Sequence, residues 1–233
     1  MAKGIVELEL FLVRHGESMG NANLTDGLDD DNRSDPPLTE KGRKQASLLG
    51  EYFAEYPLDY LLSSGMRRAL QTAEAVRMHQ PANGAKQIEV HKVFTECNTG
   101  TDCVGKTIDE LQKVFPFAVS ALDTDKTERI IFHGADDTDE QLLTRGKEAI
   151  AYLRNRFHNG EKVMVAAHAA FNTFMLYAAL GLSHVQVFDP SFFNTGITKI
   201  VFFKEGTGAF ADVHLVYMNA TPHLEKNFIY YGT

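Results

Sequence analysis

The apolar run in FLVRHGESMGN (residues 11–21) ends on a cation and an imidazole, Arg14 and His15, followed by Gly16. A neutral imidazole has an unperturbed pKa near ~6.5 and keeps one nitrogen lone pair free to attack an electrophile at neutral pH. A guanidinium beside it holds oxyanions through a rigid fork of donors. Two further stretches carry the same chemistry: Ser63-Ser64 leads into Arg67-Arg68, and His168 directly follows VMVAA. Taken singly, a histidine after a strand reads more readily as a structural hydrogen-bonding residue. Paired arginines at a helix start read as a solvated face. Taken together, two histidines and two or more arginines on strand ends of one sheet would form a cationic pocket, and a phosphate or carboxylate is its natural occupant.

The elements that must position these residues are legible in the hydrophobic pattern. Ile5 to Val13 alternates and then turns continuously apolar, as a strand does on entering a sheet covered on both faces. Thr39 reads as the cap of a helix whose Ala46, Leu49 and Phe53 share a face. LDYLLSS reads as a second strand. Ser64 reads as the cap of a helix burying Met66, Ala69, Leu70, Ala73 and Val76, and KQIEVHKV as a third strand. A helix is expected from Thr107 to Val119, inside an excursion over one sheet edge spanning 95–137. Thr138 and Gln141 have capping-box spacing, and Leu142, Ala149, Ile150, Leu153 and Phe157 recur at helical intervals up to Asn159-Gly160. KVMVAAH reads as a buried strand, AAFNTFMLYAALG as a helix closed by Gly181, and GITKIVFF with DVHLVYMN as two late strands joined through KEGTGAFA in a hairpin. The expectation is an α/β fold in one domain, 1–233, whose early strands form a doubly wound parallel sheet and whose hairpin adds an antiparallel part. Ligands of such sheets gather at the carboxyl ends of the strands, where all three stretches lie.

With 23 Lys+Arg against 31 Asp+Glu, the chain is acidic. That argues against broad nucleic-acid or anionic-membrane binding and requires any anion site to be built locally. Cys97 and Cys103 are the only cysteines and are not arranged with histidines as zinc ligands. They read as free thiols of a reducing cytoplasm. MAKGIVELEL fits neither a signal nor a transit peptide, and no apolar run approaches the ~20 residues that span a bilayer. A cytoplasmic protein is expected. Its oligomeric state is not readable. The acidic stretch DGLDDDNRSD lacks the spacing and late glutamate of a calcium loop, and reads as solvated.

Several blocks in order carry a family likeness: Arg14-His15-Gly16-Glu17-Ser18 with Asn21; Asp35-Pro36-Pro37-Leu38-Thr39-Glu40-Lys41-Gly42 with Gln45-Ala46; Ser63-Ser64 with Arg68-Ala69; and Gln71-Thr72-Ala73-Glu74. Thinner matches follow at Glu96 with Gly100, VAAH at His168, Asn194, and the terminal NATPHL. The chain resembles the histidine phosphatase superfamily, also called phosphoglycerate-mutase-like. The resemblance implies a three-layer α/β/α sandwich with a mostly parallel, partly antiparallel central sheet. It implies a phosphatase acting on a small phosphomonoester, with no cofactor and no metal.

The same resemblance assigns roles. His15 is the nucleophile, its other nitrogen held by a backbone carbonyl that Gly16 lets the chain offer. Arg14, Arg68 and His168 surround the phosphoryl group, while Asn21, Ser18 and the Ala169 N–H add donors. Glu96 is the general acid and base, with Asp102 and Asp137 in reserve, and Arg67 is taken as surface. Where many members follow the second histidine with glycine, this chain has Ala169-Ala170-Phe171-Asn172, of which Phe171 and Asn172 read either as specificity residues or as helix core and helix surface. The segment after Glu96 offers Cys97, Asn98, Thr99 and Thr101 in place of the arginines with which mutases grip a carboxylate. This favours a phosphatase over two alternatives, a phosphoglycerate mutase and an inactive phosphate-binding module.

Overall fold

The computed structural model describes residues 4–97, 105–122, 128–130, 137–183 and 190–225. Its centre is a seven-stranded sheet of order β4-β3-β2-β5-β1-β6-β7. β1 is Val6–Arg14, β2 Tyr60–Ser63, β3 Ile88–Val90, β4 Ala118–Ser120, β5 Glu161–Ala167, β6 Ile197–Phe203 and β7 Val213–Ala220. β1 pairs in parallel with β5, and the parallel run continues through β2 and β3 to β4. On its other side β1 meets β6 antiparallel, and β6 meets β7 antiparallel, which is the expected hairpin.

The period-two alternation of β1 divides the core. Leu8, Leu10 and Leu12 pack in one apolar cluster with α5 (Asp139–Arg156) and α6 (Ala169–Ala179). Phe11 and Val13 pack in the other, with α2 (Glu40–Phe53) and α3 (Arg67–His79). A strand enclosed on both faces cannot show polar alternation, which is why its sequence turns continuously apolar. Each fully buried Leu or Phe contributes about 1.5–3 kcal/mol. The layers are therefore helix, sheet and helix, as expected.

Local signals hold most helix ends. Thr39 Oγ1 accepts from the Gly42 N–H at 2.9 Å to start α2, and Thr138 with Gln141 closes a capping box at α5. α6 ends in a Schellman turn: Gly181 has φ +67°, and the Leu182 N–H returns to the Tyr177 carbonyl at 2.9 Å.

The structure corrects four local expectations. The helix expected over 107–119 is only Ile108–Gln112 (α4), because Pro116 disfavours helix before it and the following residues pair in parallel with β3 as β4. The third strand stops at Val90, where the His91 side chain accepts from the Val93 N–H and opens a 3₁₀ turn over Lys92–Phe94. Ser64 does not cap α3. Met66 stands at that position with no side-chain cap bond. The acidic stretch is solvated as expected, with no buried residue in its helix, but it is not a plain loop: it holds the short helix Asp30–Ser34 (α1), and Asp31 forms ion pairs with Arg67 and Lys106. Asn98, Thr99, Gly100, Thr101, Asp102 and Cys103 lie outside the described residues.

Candidate active site

His15 stands at the carboxyl end of the central strand and is 2% exposed. Its Nδ1 lies 2.6 Å from the Gly16 carbonyl oxygen. A carbonyl only accepts, so Nδ1 carries the proton and Nε2 keeps the lone pair. Arg68 Nε–H donates to that Nε2 at 3.1 Å, which agrees with the same tautomer. The expected carbonyl anchor is therefore present. Glycine is needed here for close approach of two backbones: a Cβ on Gly16 would stand 2.6 Å from the Gly42 carbonyl oxygen.

The peptide joining His15 to Gly16 is held on both sides. Its carbonyl accepts from Asn194 Nδ2 at 3.0 Å and from the Thr195 N–H at 3.3 Å. Its N–H donates to Thr72 Oγ1 at 3.0 Å, and Thr72 in turn donates to the Arg68 carbonyl at 2.8 Å. Arg14 leaves the same strand end, buried, and donates to the Phe192 carbonyl at 2.6 Å.

The two adjacent arginines part company. Arg68 faces His15. The Arg67 guanidinium turns to Asp31 and Asn32, so it is half-buried and clamps the acidic stretch rather than lying free on the surface. Both use Asp35, whose carboxylate accepts the Arg67 N–H at 3.0 Å and lies 3.9 Å from Arg68 Nη1. Burial pushes the Asp35 carboxyl up against the pull of Arg68.

β5 lies beside β1 with Ala167 in register with Arg14, so His168 arrives next to His15, ring centroids 5.2 Å apart. His168 Nε2 lies 2.9 Å from Ser64 Oγ, whereas its Nδ1 is buried with no hydrogen-bond partner among the described residues. Burial holds both imidazoles well below their usual pKa, and Arg68 and Arg14 add to the effect by repulsion. Without an anion, both rings are neutral at neutral pH.

The remaining expected residues are placed as follows. Asn21 Oδ1 accepts from Ser18 N–H, Ser18 Oγ and Asn194 Nδ2, which leaves the Asn21 amide NH₂ as the available donor; Ser18 braces it. Ala169 opens α6, where backbone N–H groups lack helical partners. Glu96 is brought to the same helix start: its Oε1 accepts from the Phe171 N–H at 3.2 Å and from the Cys97 N–H at 2.9 Å. Asp137 is 4.0 Å from Arg145. Phe171 and Asn172 are both fully buried, so Asn172 is not on the helix surface. Cys97 is a buried free thiol. Among the described residues, no three His, Cys, Asp or Glu side chains gather as a metal site.

Sequence reasoning missed Arg145. It is 4% exposed, lies over the Phe171 ring at 4.1 Å and reaches toward Cys97 Sγ at 3.8 Å. The signal was available: an arginine three residues after Leu142 and four before Ala149 falls on the apolar face of its helix. Asp35 and Thr72 lay within the quoted blocks without a role.

This is a mixed α/β protein that gathers two neutral histidines and two arginines at the carboxyl ends of adjacent parallel strands. The model of the histidine phosphatase superfamily (branch 1) matches residues 10–212, and the chain belongs to that family. Among its relatives, it is 28% identical over 161 residues to the uncharacterized phosphatase PhoE of Bacillus subtilis, covering 68% of this chain and 70% of that one. It is 29% identical over 178 residues to phosphoserine phosphatase 1 of Hydrogenobacter thermophilus, covering 75% and 77%. A phosphoserine phosphatase from Entamoeba histolytica, solved with 3-phosphoglyceric acid, superposes with TM-score 0.62 at 24% identity over 94% of this chain and 100% of that one, a likeness of fold. Among the described residues no helix is long and apolar enough to cross a membrane.

Proposed function

We propose that this protein is a phosphatase that hydrolyses a small phosphomonoester through a phosphohistidine at His15. The observation that carries the reading is the fixed lone pair on His15 Nε2, facing Arg68 and beside His168, in a pocket that keeps the imidazole neutral. In the first step Nε2 bonds to phosphorus as the ester P–O bond breaks, and the leaving oxygen takes a proton from Glu96. In the second step Glu96 takes a proton from water as the water oxygen bonds to phosphorus and the P–N bond breaks. Arg14, Arg68, His168, Asn21 and the Ala169 N–H bear the charge of the phosphoryl oxygens, preorganised so that little rearrangement is required. The positive charges are side chains, so turnover needs neither a cofactor nor a metal and should survive exhaustive chelation. The relatives named as phosphatases support hydrolysis, and the working place is the cytoplasm.

The test is direct. Rapid acid-free denaturation during turnover of a ³²P-labelled phosphomonoester should trap a base-stable, acid-labile label, and His15→Ala should trap none. Full-level label on another residue, or normal turnover by His15→Ala, overturns the mechanism. Isomerisation of 3-phosphoglycerate with negligible phosphate release would favour a mutase instead.

A further inference from the structure

The family chemistry leaves one part of the fold unaccounted for: the loop 190–196 before β6, and the end of β7 that grips it. Three non-glycine residues here stand in the left-handed region, Ser191 at φ +40°, Thr195 at +58° and Asn219 at +51°. For a β-branched residue such as Thr195 this is a genuine outlier, and such backbones persist only where their surroundings enforce them.

The loop holds the reactive strand end. Its Phe192 carbonyl takes Arg14 Nη1, its Gly196 carbonyl takes the Arg14 N–H at 3.3 Å, and its Thr195 N–H donates to the Arg14 carbonyl at 3.0 Å. Asn194 Nδ2 holds the His15 carbonyl. A loop can orient an imidazole only if it is itself held. Asn219 does so with both ends of its amide: Oδ1 accepts from the Phe193 N–H at 2.7 Å, and Nδ2 donates to the Ser191 carbonyl at 2.7 Å. The fit is tight, since a Cβ on Gly196 would lie 2.1 Å from Asn219 Oδ1. From just beyond β7, His223 Nε2 lies 2.9 Å from Thr195 Oγ1. Thr195 Oγ1 spends its proton on the Asn194 carbonyl at 2.7 Å, so it accepts and His223 donates.

We infer that Asn219 and His223 are positioning residues for the reaction: through the loop 190–196 they set the aim of His15 and of the Arg14 guanidinium, although both bind the loop rather than the imidazole. The inference rests on the phosphatase reading given above. Burial lowers the His223 pKa to about 4, and the neutral ring donates from Nε2 as the imidazolium would.

The experiment uses the full chain with Asn219→Gly, Asn219→Asp, His223→Ala and His223→Gln. Glycine tolerates the φ of residue 219, so Asn219→Gly removes the amide and leaves the backbone at ease. Two readouts are taken: single-turnover phosphorylation of His15 by para-nitrophenyl phosphate, and ¹⁵N resonances of the His15 ring. Asn219→Gly and His223→Ala should slow phosphorylation by about 10–100-fold, the scale of a sub-ångström to one-ångström misplacement. Their His15 ring should shift from a fixed Nδ1–H tautomer toward an average of two. His223→Gln, whose amide nitrogen can reach Thr195, should stay within about threefold of the parent. Asn219→Asp keeps the acceptor but sets a carboxylate oxygen against the Ser191 carbonyl, so it should slow phosphorylation at least as much as Asn219→Gly; it serves if the glycine variant does not fold. Folded Asn219→Gly and His223→Ala proteins with parental rates and an unchanged tautomer would overturn the inference. If the parent itself shows no turnover, the phosphatase reading fails separately. The ring resonances and the affinity for inorganic phosphate, expected about tenfold weaker in the glycine variant, then decide the positioning role.

Discussion

Glu96→Gln separates the chemistry of Glu96 from its structural contacts. Glutamine keeps an acceptor oxygen where Glu96 Oε1 takes the Phe171 and Cys97 N–H groups, so the turn and the start of α6 should stay in place. What those two hydrogen bonds lose on the exchange is at most about 1 kcal/mol each. For a chain of this size, that lowers the Tm by no more than ~8 °C. The proton donor is lost entirely. With an alkyl phosphate, whose leaving oxygen needs that proton, kcat should fall by about 10²–10⁴-fold, equivalent to about 2.7–5.4 kcal/mol. With para-nitrophenyl phosphate the leaving group departs unprotonated, so the first step should be nearly unaffected while attack of water on phosphohistidine is slowed. The expected trace in a stopped-flow absorbance assay is a burst of about one nitrophenolate per site, then a slow phase. Normal turnover of the alkyl ester, or an equal loss with both esters and no burst, would refute the assignment of Glu96 as acid and base.

Arg68→Ala should lose about 10²-fold or more in kcat/KM, whereas Arg67→Ala, which breaks the contacts to Asp31 and Asn32, should act mainly on thermal stability; a worse catalytic loss in Arg67→Ala shows that the pocket arginine has been misassigned. Acidification should destabilise the phosphate-free protein, because His15, His91, His168 and His223 are all held below their unfolded pKa of ~6.5, so the unfolded chain binds more protons as pH falls. The stabilisation is complete above that pKa and is lost progressively below it: His91 and His223, at about 4, each give up at most about 2 kcal/mol between pH 7 and 5. Denaturant midpoints at the two pH values check this, and a flat profile contradicts it.

The parts of the fold written in local sequence were readable. β1 announces its double burial in an unbroken apolar run, and Thr138 with Gln141 marks the start of α5 three residues apart. The overlong helix after Thr107 shows the opposite case. Its apolar residues fit a helical face, yet pairing of Ala118–Ser120 with β3 is a long-range reward that no window sees. The same division runs through the site. His15, Arg68 and His168 are visible because each ends or follows a strand, a local event. Arg145 was hidden although it interrupts an apolar helix face, and Asn219 acts through a loop more than a strand away. Nothing near Asn219 in sequence shows that its amide will clamp the Phe193 and Ser191 backbone.

The pairing of β1 with β5 has a consequence for how the chain comes to be active. Arg68 reaches His15 across 53 residues, Ser64 reaches His168 across 104, and Asn194 reaches His15 across 179. Contacts so remote are slow to form, because the chain must close long loops before they reward it. During synthesis the strand bearing His15 emerges early and waits for β5, β6 and the loop between them before any pocket surrounds it. Until that last closure, the contacts of His15 with Arg68, Asn194 and Thr195 are not all in place. The surroundings of His15 therefore arrive together with the finished topology, not with the strand that carries it.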